Sequence, residues 1–333
     1  MDGLSGVQVT RRGVLGAVAA VTGAGALAAC GSSSDSSGAS GSGSAGTTAI
    51  TVGVIPIVDV APIYLGVKQG YFKAEGLEVK LQTAQGGAAI VPAVVSGQYQ
   101  FGFSNSVSLI LASSKGLKLK AVAEGVSTTG VSGKDFGAVV VKSGSSITNA
   151  KDLEGKKIGV NTLNNINTTT INKAVRDAGG DPSTIKYTEL GFPDIVSAVK
   201  KGDIDAGQVV EPFLTTAESQ GMTQVVSNYV ATDPNLTVAM YFTSQQYAQQ
   251  HADIVAKFTT AMNKSLEYAN SNGDAVRDIL STYTDIDKAV LAKITLPKWP
   301  TEINDDSISL LADLAVTDKL ITSKPDLSTL LPS

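Results

Sequence analysis

The chain has 333 residues, of which 43% are hydrophobic and 17% charged, with one Cys, one His and a formal charge of −4. Soluble domains carry about 25% charged residues, and a core-forming chain this long is expected to make about two domains. A disordered chain and a coiled coil are excluded by this balance, nucleic acid is not an expected partner without a basic excess, and no intrachain disulfide or cysteine-based zinc or iron–sulfur site can form from one Cys. A single His leaves no His-cluster metal site and a poor basis for His-dependent catalysis, so no cofactor is expected.

Thr10-Arg11-Arg12-Gly13-Val14-Leu15 is a twin-arginine pattern ahead of an uncharged run rich in Ala and Gly, residues 13–29. A stable membrane span needs ~20 strongly apolar residues, so this run reads as a signal-peptide core, with residues 1–29 removed on export. It ends Leu27-Ala28-Ala29-Cys30-Gly31, which resembles a bacterial lipobox with Cys30 as the lipidated first residue of the mature chain. In residues 31–46, 13 of 16 are Gly or Ser, a flexible tether. Its average reach is roughly 20–25 Å. The expected location is outside the cell membrane or in the periplasm, held by the lipid.

The body alternates strand and helix. Residues 49–55 form a short β-branched run that reads as a buried strand, and 61–71 as a helix. Strand 78–83 follows, then helix 88–96, short strand 100–103, a helix led by Ser104-Asn105-Ser106 to about 114, and strand 117–124. The pattern continues with strand 157–160, helix 168–178, strand 185–190, helix 194–200, strand 204–210 and helix 213–220. After Asp233 the character is helix upon helix, with Ile254, Phe258, Met262 and Leu266 as one apolar stripe. His251 opens that helix among polar neighbours and reads as solvated. Alternating β and α elements predict an α/β fold of mostly parallel sheets with helices on their faces. The expected division is lobe one at 48–132 plus 236–333 and lobe two at 133–235, with a hinge and a cleft between them.

Five segments in order resemble one family. Gly70-Tyr71-Phe72-Lys73-Ala74-Glu75-Gly76-Leu77-Glu78-Val79 is similar to a G-Y-F-K-x-E-G-L-x-V signature. Ser96–Gly102, Asp152–Val160, Lys201–Ala206 with Glu211-Pro212-Phe213, and Trp299-Pro300 with Leu320–Leu327 follow at family spacing. The pattern resembles solute-binding proteins of ABC importers in the nitrate/sulfonate/taurine group, which share their fold with thiamine-pyrimidine synthases. The resemblance spans about residues 50–331. It implies a two-lobed, type II periplasmic-binding-protein fold, a small-molecule solute, permease and ATPase partners, and a monomer. Gln100 stands where the family usually has Asp, and Leu163-Asn164 where many members have Gly-Ser.

In such sheets the ligand sits beyond the carboxyl ends of the strands. The loops there contain Asp59, Ser104, Asn105, Ser106, Thr128, Asn164, Asn165, Thr168, Phe192, Asp194 and Glu211, which are the candidate ligand-binding residues. Helix N-termini among them suit an anion. The same Ser, Thr and Asn read equally as helix caps. Past residue 29 the only Arg residues are Arg176 and Arg277, both on helix faces that read as solvated, so no arginine clamp is expected. Glu211 and Asp194 favour a donor on the ligand, while Phe192, Tyr64 or Tyr241 offer an apolar surface. These residues suit a zwitterion or a heterocycle with both donors and acceptors, and the resemblance implies a sulfonate-, taurine- or nitrate-like anion or an aminopyrimidine-like heterocycle. The alternatives are a pyrimidine-synthase-like enzyme and a lipoprotein sensor. No Gly-x-Ser-x-Gly elbow and no phosphate-binding loop occur, and catalysis is not expected.

Overall fold

A computed structural model describes residues 47–332. The leader, Cys30 and the tether at 31–46 lie outside the described residues. Ten strands are described, β1 (Thr48–Val54), β2 (Leu77–Thr83), β3 (Phe101–Asn105), β4 (Leu119–Ser127), β5 (Gly137–Val141), β6 (Lys157–Val160), β7 (Lys186–Glu189), β8 (Ala206–Val210), β9 (Thr223–Val226) and β10 (Thr237–Ser244). The helices of the first half are α1 (Ala61–Lys68), α2 (Tyr71–Ala74), α3 (Gly87–Val95), α4 (Ser106–Ser114), α5 (Ile166–Asp177) and α6 (Phe192–Lys201). The later ones are α7 (Phe213–Ser219), α8 (Asn228–Thr232), α9 (Gln245–Gln250), α10 (Ala252–Ser271), α11 (Gly273–Leu280), α12 (Lys288–Leu291) and α13 (Asp305–Thr317).

The strands make two five-stranded sheets, ordered β2-β1-β3-β10-β4 and β7-β6-β8-β5-β9. We call the halves built on them lobe one and lobe two. The sheets are more mixed than simple βα alternation predicts. β1 is parallel to β2 and β3, and β6 to β7 and β8, but β10 and β5 are antiparallel to both of their neighbours. Each reversed strand is the first one laid down after the chain crosses from the other lobe. It enters from the hinge side and so runs against strands that began inside the lobe.

Three strands, β5, β9 and β10, escape the sequence reading. β10 stands where helix upon helix is expected. Its residues Thr237 to Thr243 are all buried, so it shows no two-residue alternation to mark a strand. β5 is buried throughout, and β9 is an edge strand of four residues. The helix expected at 61–71 divides into α1 and α2 around Gly70.

The two interlobe crossings run side by side. Thr128 Oγ1 and the Thr129 amide donate to the buried Asp135 carboxylate at 2.8 and 2.9 Å, which folds the first crossing. Thr128 N donates to Leu236 O at 3.1 Å, which ties the first crossing to the second, and Gly133 N to Ser227 Oγ at 2.9 Å, which anchors the first crossing in lobe two. Gly130 has a φ of 77°, and a Cβ there would lie 2.7 Å from Pro234 O, so only glycine lets the two crossings touch.

Behind the first sheet, α10 buries the expected stripe of Ile254, Phe258, Met262 and Leu266. Phe258 stacks on Phe101 with ring centroids 3.9 Å apart and also meets Phe72 and Tyr241. Removing its ring leaves a cavity that sheet and helix cannot both close. Phe258→Ala is expected to destabilise the fold by about 3–5 kcal/mol, read from urea unfolding. A cost under about 1 kcal/mol would place the core elsewhere.

Candidate functional site

Strand ends from both sheets converge on one buried cavity. Ile55 follows β1 and Asn105 ends β3; Asn161 follows β6 and Val210 ends β8. Asp59, Phe103, Asn165, Asn167, Phe192 and Tyr229 complete most of the wall. The space is about 30 Å³. A site of that size holds about one or two waters, so a larger solute needs the lobes to part.

The lobe-two wall is a connected run of amides. Asn165 and Asn167 both donate through Nδ2 to Asn161 Oδ1, at 3.0 and 2.9 Å. Tyr229 OH donates to Asn167 Oδ1 at 2.6 Å and accepts from Gln208 Nε2 at 3.2 Å. Asn165 also caps α5, its Oδ1 accepting from Asn167 N and Thr168 N while Thr168 Oγ1 accepts from Asn165 N. Asn105 caps α4 by accepting from Ser108 N at 2.9 Å, and the same oxygen accepts from Ile166 N of lobe two at 3.3 Å. One side chain thus closes a helix and bridges the cleft.

Two buried acids stand close to this wall and differ in their partners. Glu211 accepts from Thr215 N, Thr215 Oγ1 and Thr295 N at 2.8–3.0 Å, and burial pushes its carboxyl up to about 7 against those bonds. Asp59 is 3% exposed, and its Oδ1 has no hydrogen-bond partner. Burial, with a smaller push from Asp135, raises its carboxyl to about 8, while its own backbone amide acts the other way. Trp299 Nε1 holds the Asp59 carbonyl at 3.0 Å, which fixes the turn that carries the acid.

Of the eleven candidate residues, Asp59, Asn105, Asn165 and Phe192 meet at the cavity. Ser104 and Ser106 are buried but tied locally, Ser106 Oγ donating to Thr237 O at 2.9 Å. Thr128 belongs to the hinge and Thr168 to the α5 cap. Glu211 braces α7 and the segment at Thr295 and does not line the cavity. Asp194 is exposed in the first turn of α6. Asn164, at a φ of 53°, sits with Leu163 on an outer groove of about 560 Å³ beside α3 and α4. Tyr64 is stacked on Tyr283 at 3.9 Å, away from the wall. Asn161, Asn167, Phe103 and Tyr229 were not singled out. The first two flank the candidates Asn164 and Asn165 in a segment dense in Asn and Thr, whereas nothing local marks Tyr229.

The two arginines are not solvated as expected. Arg176 of α5 pairs with Asp318 just after α13 at 2.5 Å, and the Asp318 side chain is 3% exposed. Asn172 Nδ2 donates to the same carboxylate at 3.0 Å, so lobe two grips the C-terminal helix beside lobe one. Arg277 pairs with Asp274 and donates to Ile294 O. Neither lines the cavity.

At the mouth, a Cβ on Gly86 would lie 2.4 Å from Thr162 Oγ1 of lobe two. The Gly86 backbone is extended, a conformation any residue adopts, so a side chain there acts only by pushing the lobes apart. Gly86→Val is expected to leave the melting temperature within a few degrees of the parent but enlarge the radius of gyration in solution scattering. An unchanged radius would show that the mouth tolerates the added bulk.

Asp59 and Glu211 also set a pH dependence. Both are raised, so the fold keeps protons that the unfolded chain releases near pH 4. Their stabilising contribution is complete below about pH 4 and is lost as the pH rises through about 7 to 8. The urea midpoint is expected to fall between pH 5 and pH 9, and Asp59→Asn to flatten that fall. A midpoint that holds or rises over the window would contradict the burial argument.

Among the described residues no helix is long and apolar enough to cross a membrane, and no group of three or more His, Cys, Asp or Glu is placed to hold a metal ion. The chain is 24% identical over 279 residues to a Bacillus subtilis (strain 168) protein named for binding aliphatic sulfonates, covering 80% of this chain and 81% of that one. It is 22% identical over 256 residues to the formylaminopyrimidine-binding protein of Halalkalibacterium halodurans, covering 75% and 72%. It also matches the 4-amino-5-hydroxymethyl-2-methylpyrimidine phosphate synthase of Aspergillus parasiticus at 28% identity over 149 residues, 44% of this chain and 41% of that one. The fold superposes on the ligand-binding component of an ABC-type import system from Staphylococcus aureus with a TM-score of 0.74 at 16% identity, covering 86% and 96%. A Candida albicans protein with the generic periplasmic binding protein fold gives 0.65 at 17% identity, covering 85% and 96%. The two mixed sheets therefore form a periplasmic-binding-protein fold. The model of the NMT1/THI5-like family matches residues 57–275, about two thirds of the sequence, and the chain belongs to that family.

Proposed function

We propose that the chain is the extracytoplasmic solute-binding lipoprotein of an ABC importer, capturing a small organic solute between its lobes and delivering it to the permease. The observation that carries this reading is the cavity itself, lined by polar side chains from both lobes and too small for an organic solute unless the lobes part. A solute that touches both walls stabilises the closed shape, and the closed shape is what a permease can read. Relatives named as solute-binding proteins support the same reading. So do the leader and Cys30, which would keep the body at the membrane face.

Binding without catalysis is the favoured form. Synthases occur among the relatives. Here the single histidine, His251, is exposed between α9 and α10, packed on Tyr247 and away from the cavity wall. It is not placed to move a proton on a ligand there.

The test is a thermal-shift screen of the chain carrying Cys30→Ser, against anions, zwitterions and nitrogen heterocycles. A ligand at 100 times its dissociation constant adds ~2.7 kcal/mol, which raises the midpoint by roughly 5–10 °C. A saturable shift with compaction in solution scattering supports capture between lobes. Turnover of the bound compound would instead favour the synthase-like reading.

A further inference from the structure

Resting on the reading of the cavity as a solute site, we infer that its solute presents a cationic or hydrogen-donating nitrogen to Asp59, and that the site is not built around a sulfonate or nitrate. Asp59 lines the cavity, is nine-tenths and more buried, and leaves its Oδ1 unpartnered. A buried charge or acceptor without a partner is costly, and fold stability alone would favour an apolar residue there. A ligand N–H satisfies it.

At α4 and α5 the N–H groups an anion would need are already occupied, while α6, whose Phe192 also lines the cavity, has no side-chain cap. The two helices whose N-caps line the cavity are α4 and α5, and a helix N-terminus attracts anions through its free N–H groups. Here Asn105 takes Ser108 N and also Ile166 N, while Asn165 takes Asn167 N and Thr168 N. The chain's own amide oxygens stand where a sulfonate's oxygens would have to bind. No Lys, Arg or His is among the residues lining the cavity. Phe192 and Tyr229 add ring faces, which suit a flat cation or heterocycle.

The groups facing Asp59 are Asp135 from the first crossing, Tyr229 of α8, Tyr241 of β10 and Tyr283 beyond α11. Burial keeps the three tyrosines neutral. A cation entering the cavity displaces the Asp59 proton, so its affinity rises with pH, by up to about tenfold per unit below that carboxyl's titration. An anion would have the opposite dependence, since it could use only the protonated acid as a donor.

The experiment uses matched probes whose charge is constant from pH 6 to pH 9: methylguanidinium and benzamidinium against methanesulfonate and benzenesulfonate. Each is titrated by thermal shift and calorimetry into the Cys30→Ser chain and into Asp59→Asn. The expected result is binding of a cation that strengthens from pH 6 to pH 9 and weakens about 10- to 100-fold in Asp59→Asn. Binding of a sulfonate that weakens with rising pH overturns the assignment while leaving the solute-binding reading intact. Cation binding that neither pH nor Asp59→Asn changes also overturns it. Binding of neither pair overturns it, and failure of the wider screen as well would remove the solute-binding reading too. The pH profile of the unsubstituted Asp59 decides the sign even if Asp59→Asn does not fold.

Discussion

Wherever the two lobes face each other, polar groups leave water, and each one left alone costs about 1–3 kcal/mol. The molecule meets this constraint with side-chain amides rather than ion pairs at the cavity. Asn161, Asn165, Asn167, Tyr229 and Gln208 form one hydrogen-bonded run along lobe two. Asn105 reaches the same face from lobe one and receives the Ile166 amide. Amides carry both donors and acceptors, so a short stretch of them can satisfy itself without any formal charge. The caps of α4 and α5 are part of that run, which couples the start of two helices to the shape of the cleft.

Of the buried acids, Asp59 and Glu211 separate by role. Glu211 receives three donors and joins α7 to the segment at Thr295, so its bonds offset part of its burial cost. Asp59 lies beside the same interface with an oxygen that nothing in the chain meets. Gln208 Oε1 and Tyr241 OH are also buried without a partner, but Asp59 is the acid among the unpartnered groups, and perturbed buried acids concentrate at binding sites. The tie between Arg176, Asn172 and Asp318 lies outside the cavity, so it can hold the lobes together without competing for solute.

The resemblance in the sequence reached well beyond any single motif. The βα alternation was legible because buried strands such as 49–55 and helices such as 254–266 have strong local patterns. Three of the four asparagines that line the cavity, Asn161, Asn165 and Asn167, come from the segment after β6 in which the sequence marks Asn164, Asn165 and Thr168. Asp59 was legible as a loop acid after the first strand, but its isolation was not. Glu211 and Asp194 looked equivalent in sequence, yet one is a buried brace and the other an exposed helix-start charge. Arg176 looked solvated because its partner lies 142 positions away.

By itself the sequence determined the α/β class, the alternating elements and the polar loops at strand ends, since these depend on composition and on neighbours a few residues apart. Tertiary structure alone decided three things. One was the antiparallel insertion of β5 and β10, strands buried on both faces that show no alternation. Another was which loop residues meet at the cavity and which serve as caps or hinge. The last was that Asp59, and not Glu211, is left without a partner. Each of these depends on contacts between segments far apart in the chain, where burial and hydrogen bonding are settled by the packing of whole lobes.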